Sequence, residues 1–115
     1  MAERAIEFTD YHQFPLEPIP GPVPGLSQRV ISRDKRGRIV ARVLEYAPGV
    51  DTTPNGIAVH DFWEDIFILK GSAFDLTLGR EFSAGSVASR PPGMPHGPWT
   101  SVDGCVMYEV DRYLD

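Results

Sequence analysis

Apolar and polar residues alternate along this chain over short stretches broken by glycine and proline, and they nowhere hold a helical period for long. Eleven glycines and eleven prolines are spread over its 115 residues, a spacing that long helices do not survive. From Ser27 onward the pattern predicts about eight short strands divided by turns. The stretch QRVISRDKRGRIVARVLEYAPG reads as two strands around the turn RDKRGR. DIFILKG and SAFDLTLG read as a hairpin turning at Lys70-Gly71-Ser72. REFSAGSVASRPPG holds another turn and a strand that runs into a proline pair, and GCVMYEVDRYL is a closing strand. Such a series predicts an all-β sandwich or small barrel.

Two segments need separate accounts. In FPLEPIPGPVPG, Phe14 to Gly25, proline falls at almost every second position, which predicts an extended arm without regular hydrogen bonds. Phe14, Leu16, Ile19, Val23 and Leu26 make it too apolar for a free linker, so it is expected to lie on the domain or on a second subunit. Residues 1–26 are therefore read as an arm and 27–115 as the barrel domain. In DIFILK, Ile66 and Ile68 share a face with Glu64, while Phe67 and Leu69 point the other way. A strand apolar on both sides is expected between two sheets or at an interface. A small barrel has little interior for so much apolar surface, so a homodimer is expected.

Bulk properties narrow the function. Hydrophobic residues make up 42% of the chain, enough for one core. The net charge of -5 argues against nucleic acid and anionic membrane surfaces as partners and is otherwise ordinary for solubility. The basic cluster Arg33, Lys35, Arg36 and Arg38 is expected to be a solvated hairpin tip. The single Cys105 permits no intrachain disulfide. No apolar run approaches the roughly 20 residues of a membrane span. MAERAIEFTD carries charge where a signal peptide has an apolar core, so a cytoplasmic location is expected.

The chemistry concentrates in two places. In VHDFWEDIFILKG, His60 and Glu64 stand at the mouth of an apolar strand. A buried carboxylate there is costly unless a salt bridge, a hydrogen-bond network or a metal ion partners it. In GSVASRPPGMPHGPW, prolines and glycine force a tight turn that brings His96 to the end of a strand. H-x(3)-E-x(6)-G at His60, Glu64 and Gly71, followed by G-x(5)-P-x-G-x(2)-H at Gly85, Pro91, Gly93 and His96, resembles the two motifs of the cupin family. The stretch from Glu64 to Val110 looks most like the branch that holds the zinc-binding anti-sigma cupin and the acetylacetone-cleaving dioxygenase. The resemblance implies a double-stranded β-helix, or jelly roll, with one divalent metal in its mouth held by His60, Glu64 and His96. Three departures stand out: Ala58 falls where the family has its first histidine, the segment GVDTTPNGIAVH from Gly49 is longer than the family spacing, and Thr100 stands where the second motif ends in asparagine. The alternative is a metal-free barrel in which Glu64 pairs with His60 or His96.

Two imidazoles and one carboxylate suit non-haem Fe(II) and also catalytic zinc, with manganese and nickel as further candidates. Phe62, Trp63, Met94 and Trp99 flank these residues in sequence and are expected to wall a small-molecule pocket; the two tryptophans could instead pack under the arm. Asn55 is either an oxygen donor to metal or substrate or a turn residue before Gly56. Cys105, Met107 and Glu109 share one face of the last strand. If that face points inward, Glu109 is a general base or a fourth ligand; if outward, Tyr108 takes the pocket. His12, in the arm, is expected to be inert. The expected activity is Fe(II)-dependent dioxygenation of a chelating dicarbonyl or hydroxyketone. The alternatives are a non-redox isomerase, lyase or hydrolase using the metal as a Lewis acid, and a non-catalytic sensor of metal or ligand.

Overall fold

The computed structural model describes residues 5–115. Among the described residues there are nine strands: β1 (Glu17–Pro18), β2 (Leu26–Arg33), β3 (Ile39–Tyr46), β4 (Val50–Asp51), β5 (Trp63–Asp75), β6 (Arg80–Ser83), β7 (Val87–Arg90), β8 (Trp99–Ser101) and β9 (Cys105–Arg112). Two 3-10 turns, Tyr11–Gln13 and Thr53–Asn55, complete the regular structure. Among the described residues no helix is long and apolar enough to cross a membrane. The larger sheet runs β1-β2-β3-β9-β5, with β7 on the other side of β5; the smaller one joins the end of β5 to β6 and β8, and β8 to β4. All these pairings are antiparallel, and the two sheets enclose the interior as a jelly roll.

One strand corrects the sequence reading. Lys70-Gly71-Ser72 is no hairpin turn: β5 runs unbroken for 13 residues, from Trp63 to Asp75. Its first part pairs with β7 and β9 in one sheet, and its last four residues pair with β6 in the other. The strand changes sheets at an irregularity between Ile68 and Lys70, next to Gly71 at φ 74°. A β-carbon on Gly71 would lie 2.1 Å from the Gly104 carbonyl oxygen, so glycine is required by both the dihedral and the contact. The true reversal comes at Asp75, whose buried carboxylate accepts hydrogen bonds from the backbone N–H groups of Thr77 and Leu78.

Leu44, Ile68, Ala73, Cys105 and Met107 form the main buried cluster, and Val23, Leu26 and Val50 form a second. The arm is part of this packing. Val23 is buried, and Ile19 touches both clusters. Covering such a side chain is worth about 1.5–3 kcal/mol. The arm also departs from a purely unpaired segment, since Glu17 and Pro18 pair with Gln28 and Ser27. Arg29 ties it further, donating to the carbonyls of His12 and Phe14.

The inner face of β5 behaves as the alternation predicts, with Glu64 and Ile68 buried. Its outer face is open in the single chain: Phe67 is 41% exposed, Leu69 37%, and Tyr108 on neighbouring β9 38%.

Candidate metal centre

Strand register brings the site residues together. Glu64 faces inward near the start of β5, directly across from Arg90 on β7 and Asp111 on β9. His60 lies just before β5, and the chain there is pinned to the second motif by the Gly93 N–H donating to the His60 carbonyl at 2.8 Å. His96 enters from the other side through an isolated bridge to Ala58, with N–H to carbonyl bonds of 2.8 and 3.0 Å in the two directions. Directly opposed residues of an antiparallel pair share a face. Ala58 therefore presents its methyl group on the same side as the His96 imidazole.

His60 Nε2 lies 3.4 Å from Glu64 Oε2, and His96 Nε2 lies 3.7 Å from Glu64 Oε1. The ligand atoms of these three residues all fall within 4.8 Å of one another. Two ligands bound about 2.1 Å from one ion at right angles would sit about 3 Å apart, so small side-chain movements bring this set to coordinating distance. His96 also has the right protonation: burial, and then the nearby Arg90 charge, hold it below the ordinary histidine range, so it is neutral at pH 7. Neutral imidazole is the metal-binding form. The donor set thus fits a divalent ion.

The nearest partner of Glu64 is neither histidine. Arg90 Nη1 donates to Glu64 Oε1 at 2.6 Å, between two largely buried side chains. This ion pair is what relieves the buried carboxylate in the protein alone. Arg90 also lies with its guanidinium carbon 5.5 Å from the centre of the Trp99 ring.

Behind Glu64 lies a second buried acidic group. Glu109 and Asp111 approach Glu64 closely enough that one oxygen from each falls within 4.8 Å of the others. Arg42 on β3 donates to Glu109 at 3.0 Å and to the Gln28 side chain at 2.7 Å. Gln28 in turn donates to Glu17 of the arm at 3.1 Å. Burial, and then the charge and hydrogen bond of Glu109, push the Asp111 carboxyl up to about 8, so it holds its proton at neutral pH. The last strand therefore faces inward through Cys105, Met107 and Glu109, all buried, and Tyr108 points outward.

The expected pocket wall is only partly assembled. Phe62 stacks on His60, with ring centres 4.8 Å apart, and lines an open cleft with Val59, Asp61, Pro92 and Gly93. Trp99 is half-buried and packs on the main core beside Arg90. Met94 is largely exposed, though its carbonyl lies 3.4 Å from His96 Nδ1. Trp63 does not join them. It precedes the inward Glu64 by one residue, so it points outward, where it packs against the Arg112 guanidinium. Asn55 also lies elsewhere. It closes the exposed 3-10 turn, and its side-chain oxygen faces Gly21 of the arm.

Arg90, Asp111 and Arg42 are the interior groups that sequence reading misses. Each continues an alternation already visible: Ala88–Arg90 on β7, Arg42–Leu44 on β3, and Cys105–Met107–Glu109–Asp111 on β9. Two antiparallel sheets with this strand order, closed around inward-facing histidines and acidic groups, match solved structures of one architecture. An RmlC-like cupin from Shewanella frigidimarina aligns with a TM-score of 0.72 at 17% identity, over 96% of this chain and 93% of that one. The fold is the cupin fold. The polyketide cyclase RemF from Streptomyces resistomycificus aligns with a TM-score of 0.73 at 19% identity, over 94% of this chain and 80% of that one. An acetylacetone dioxygenase from Acinetobacter johnsonii aligns with a TM-score of 0.71 at 15% identity, over all of this chain and 80% of that one. No protein-family model matches the sequence, and no curated protein sequence is similar to it. A cupin barrel hosts unrelated chemistries, as these two enzymes illustrate, so function rests on the site.

Proposed function

We propose that this cupin is a metal-dependent enzyme acting on a small chelating molecule, and that its activity is Fe(II)-dependent dioxygenation of a dicarbonyl or hydroxyketone. The observation that carries this reading is the three-residue donor set with alanine at the fourth position. His60, Glu64 and His96 converge, while Ala58 faces the same side as His96 and offers no ligand. Such a set leaves more of the ion's coordination open to substrate than a four-ligand site does. A ferrous ion held by these residues would supply a chelating centre and the means to activate oxygen.

The remaining residues have separate tasks. With no ion bound, Arg90 pairs with Glu64 through a 2.6 Å bond and offsets its buried charge. Phe62, stacked on His60, covers one edge of the cleft with an apolar ring. Asp111 lies beside Glu64 and Glu109, and burial raises its carboxyl to about 8, so it would hold a proton next to the site at neutral pH.

Metal analysis of purified protein, followed by anaerobic loading with Fe(II) and a panel of diketones and hydroxyketones, tests this. Substrate-dependent oxygen uptake supports dioxygenation. Turnover by the zinc-loaded protein without oxygen selects the isomerase, lyase or hydrolase reading instead.

A further inference from the structure

The two interior arginines differ in how fully they are used. Arg42 spends Nη1 on Gln28 and Nη2 on Glu109, although its buried Nε has no partner among the described residues. Among the described residues, Arg90 makes one side-chain hydrogen bond, from Nη1 to Glu64, although its side chain is only 11% exposed. A guanidinium carries five N–H donors in a planar fork. Arg90 thus brings a nearly buried cation with most of its donors unspent to within hydrogen-bond reach of a candidate metal ligand. The Trp99 ring lies against it and favours the charge staying there.

Charge counting indicates what that cation is for. Arg42 and Arg90 oppose Glu64, Glu109 and Asp111, so the interior carries -1 with all three carboxylates ionised and is neutral with one of them protonated. A divalent ion raises it to between +1 and +2. It also takes over the neutralisation of Glu64, which frees Arg90 from its present partner. A positive site whose planar fork has donors open to solvent is complementary to a carboxylate, which accepts two parallel hydrogen bonds from guanidinium.

We infer that Arg90 is a specificity-determining residue that binds a carboxylate of the substrate, so that the chelating molecule taken by this site is a 2-oxo or 2-hydroxy acid rather than an uncharged dicarbonyl. This rests on the metal-site reading above for the chelating half of the interaction, whereas the carboxylate contact is Arg90's own.

The test compares pyruvate with 2,3-butanedione, an uncharged dicarbonyl of similar size, by calorimetric titration of the full chain loaded with redox-inert zinc. The wild type should bind pyruvate about 10- to 100-fold more tightly than butanedione, the range expected for hydrogen bonds to a charged group. Arg90→Gln should cut that preference about tenfold, the remainder being the carboxylate's own attraction to zinc. Arg90→Lys, which keeps the charge without the fork, should fall between them and guards against a folding defect in the glutamine variant. Equal binding of the two ligands by the wild type, or a preference for pyruvate that Arg90→Gln leaves unchanged, overturns the inference. Metal content is measured on the same samples. If the wild type takes up no metal, the metal-site reading fails, and pyruvate titration of the metal-free protein then decides the arginine's role: binding lost in Arg90→Gln supports it, and no binding overturns it.

Discussion

Replacing Ala58 with histidine would add a fourth candidate ligand where the cupin motif has its first histidine, and the structure says how well it would fit. Ala58 and His96 exchange two backbone hydrogen bonds, of 2.8 and 3.0 Å, so they form a directly opposed pair. In such a pair the α-carbons lie about 5.5 Å apart and the side chains share one face. The His96 imidazole already reaches to 3.7 Å from Glu64, and a histidine at 58 would start one strand away on the same side. Structural zinc sites with four protein ligands gain about 10–16 kcal/mol, or roughly 3 kcal/mol per ligand. That corresponds to about a hundredfold in affinity, and imperfect placement reduces the expectation to at least tenfold. Competitive chelator titration with zinc should show this gain in Ala58→His, and cobalt substitution should show a change in coordination number. The same variant should lose activity with chelating substrates, because a position they use is closed. Unchanged affinity together with an unchanged cobalt spectrum would refute the argument, since residue 58 would then not face the site.

Other expectations follow from particular contacts. Gly71→Ala forces a side chain into φ 74° and against the Gly104 carbonyl, so it should cost at least about 3 kcal/mol in urea denaturation; a loss near zero would contradict the tight crossing of the two sheets. Asp111 loses its proton at about 8 in the native protein and near 3.8 when unfolded. Between those values the native state binds more protons, so this group makes stability fall as pH rises. In metal-free protein Asp111→Asn should flatten that fall and gain on the order of 2 kcal/mol at pH 8, read from urea titrations at pH 5 and 8. The open outer face around Phe67, Leu69 and Tyr108 should pack against a second copy. Sedimentation should show a dimer at micromolar concentration that Phe67→Asp dissociates, and a wild-type monomer would defeat this.

Much of the barrel was legible because alternation fixes which side chains share a face. The hairpin around RDKRGR and the closing strand follow from a period of two, which groups Cys105, Met107 and Glu109 on one face, while the burial of Glu109 and exposure of Tyr108 decide that this face turns inward. The same rule, carried two residues further, places Asp111 beside Glu109, and applied to the neighbour of Glu64 it turns Trp63 outward. Trp63 was expected in the pocket from nearness in sequence, which is the wrong measure in a strand. The crossing at Gly71 was not legible. A glycine within an apolar stretch signals either a turn or a bent continuous strand, and only the partner strands, here β6 and β9, decide between them. Arg90 went unread for a related reason. Its importance comes from standing opposite Glu64, and cross-strand register between residues 26 apart in sequence is not written in either segment alone.

The central claim is that His60, Glu64 and His96 hold one divalent ion. Equilibrium dialysis with Fe(II) under anaerobic conditions and with Zn(II), on wild type and on His60→Ala, Glu64→Gln and His96→Ala, tests it most directly. The account predicts one ion per chain in the wild type and loss of that ion in each variant, with the β-sheet circular dichroism spectrum retained. Metal content in all three variants equal to that of the wild type, or a wild type that binds no divalent ion at millimolar concentration, would contradict it.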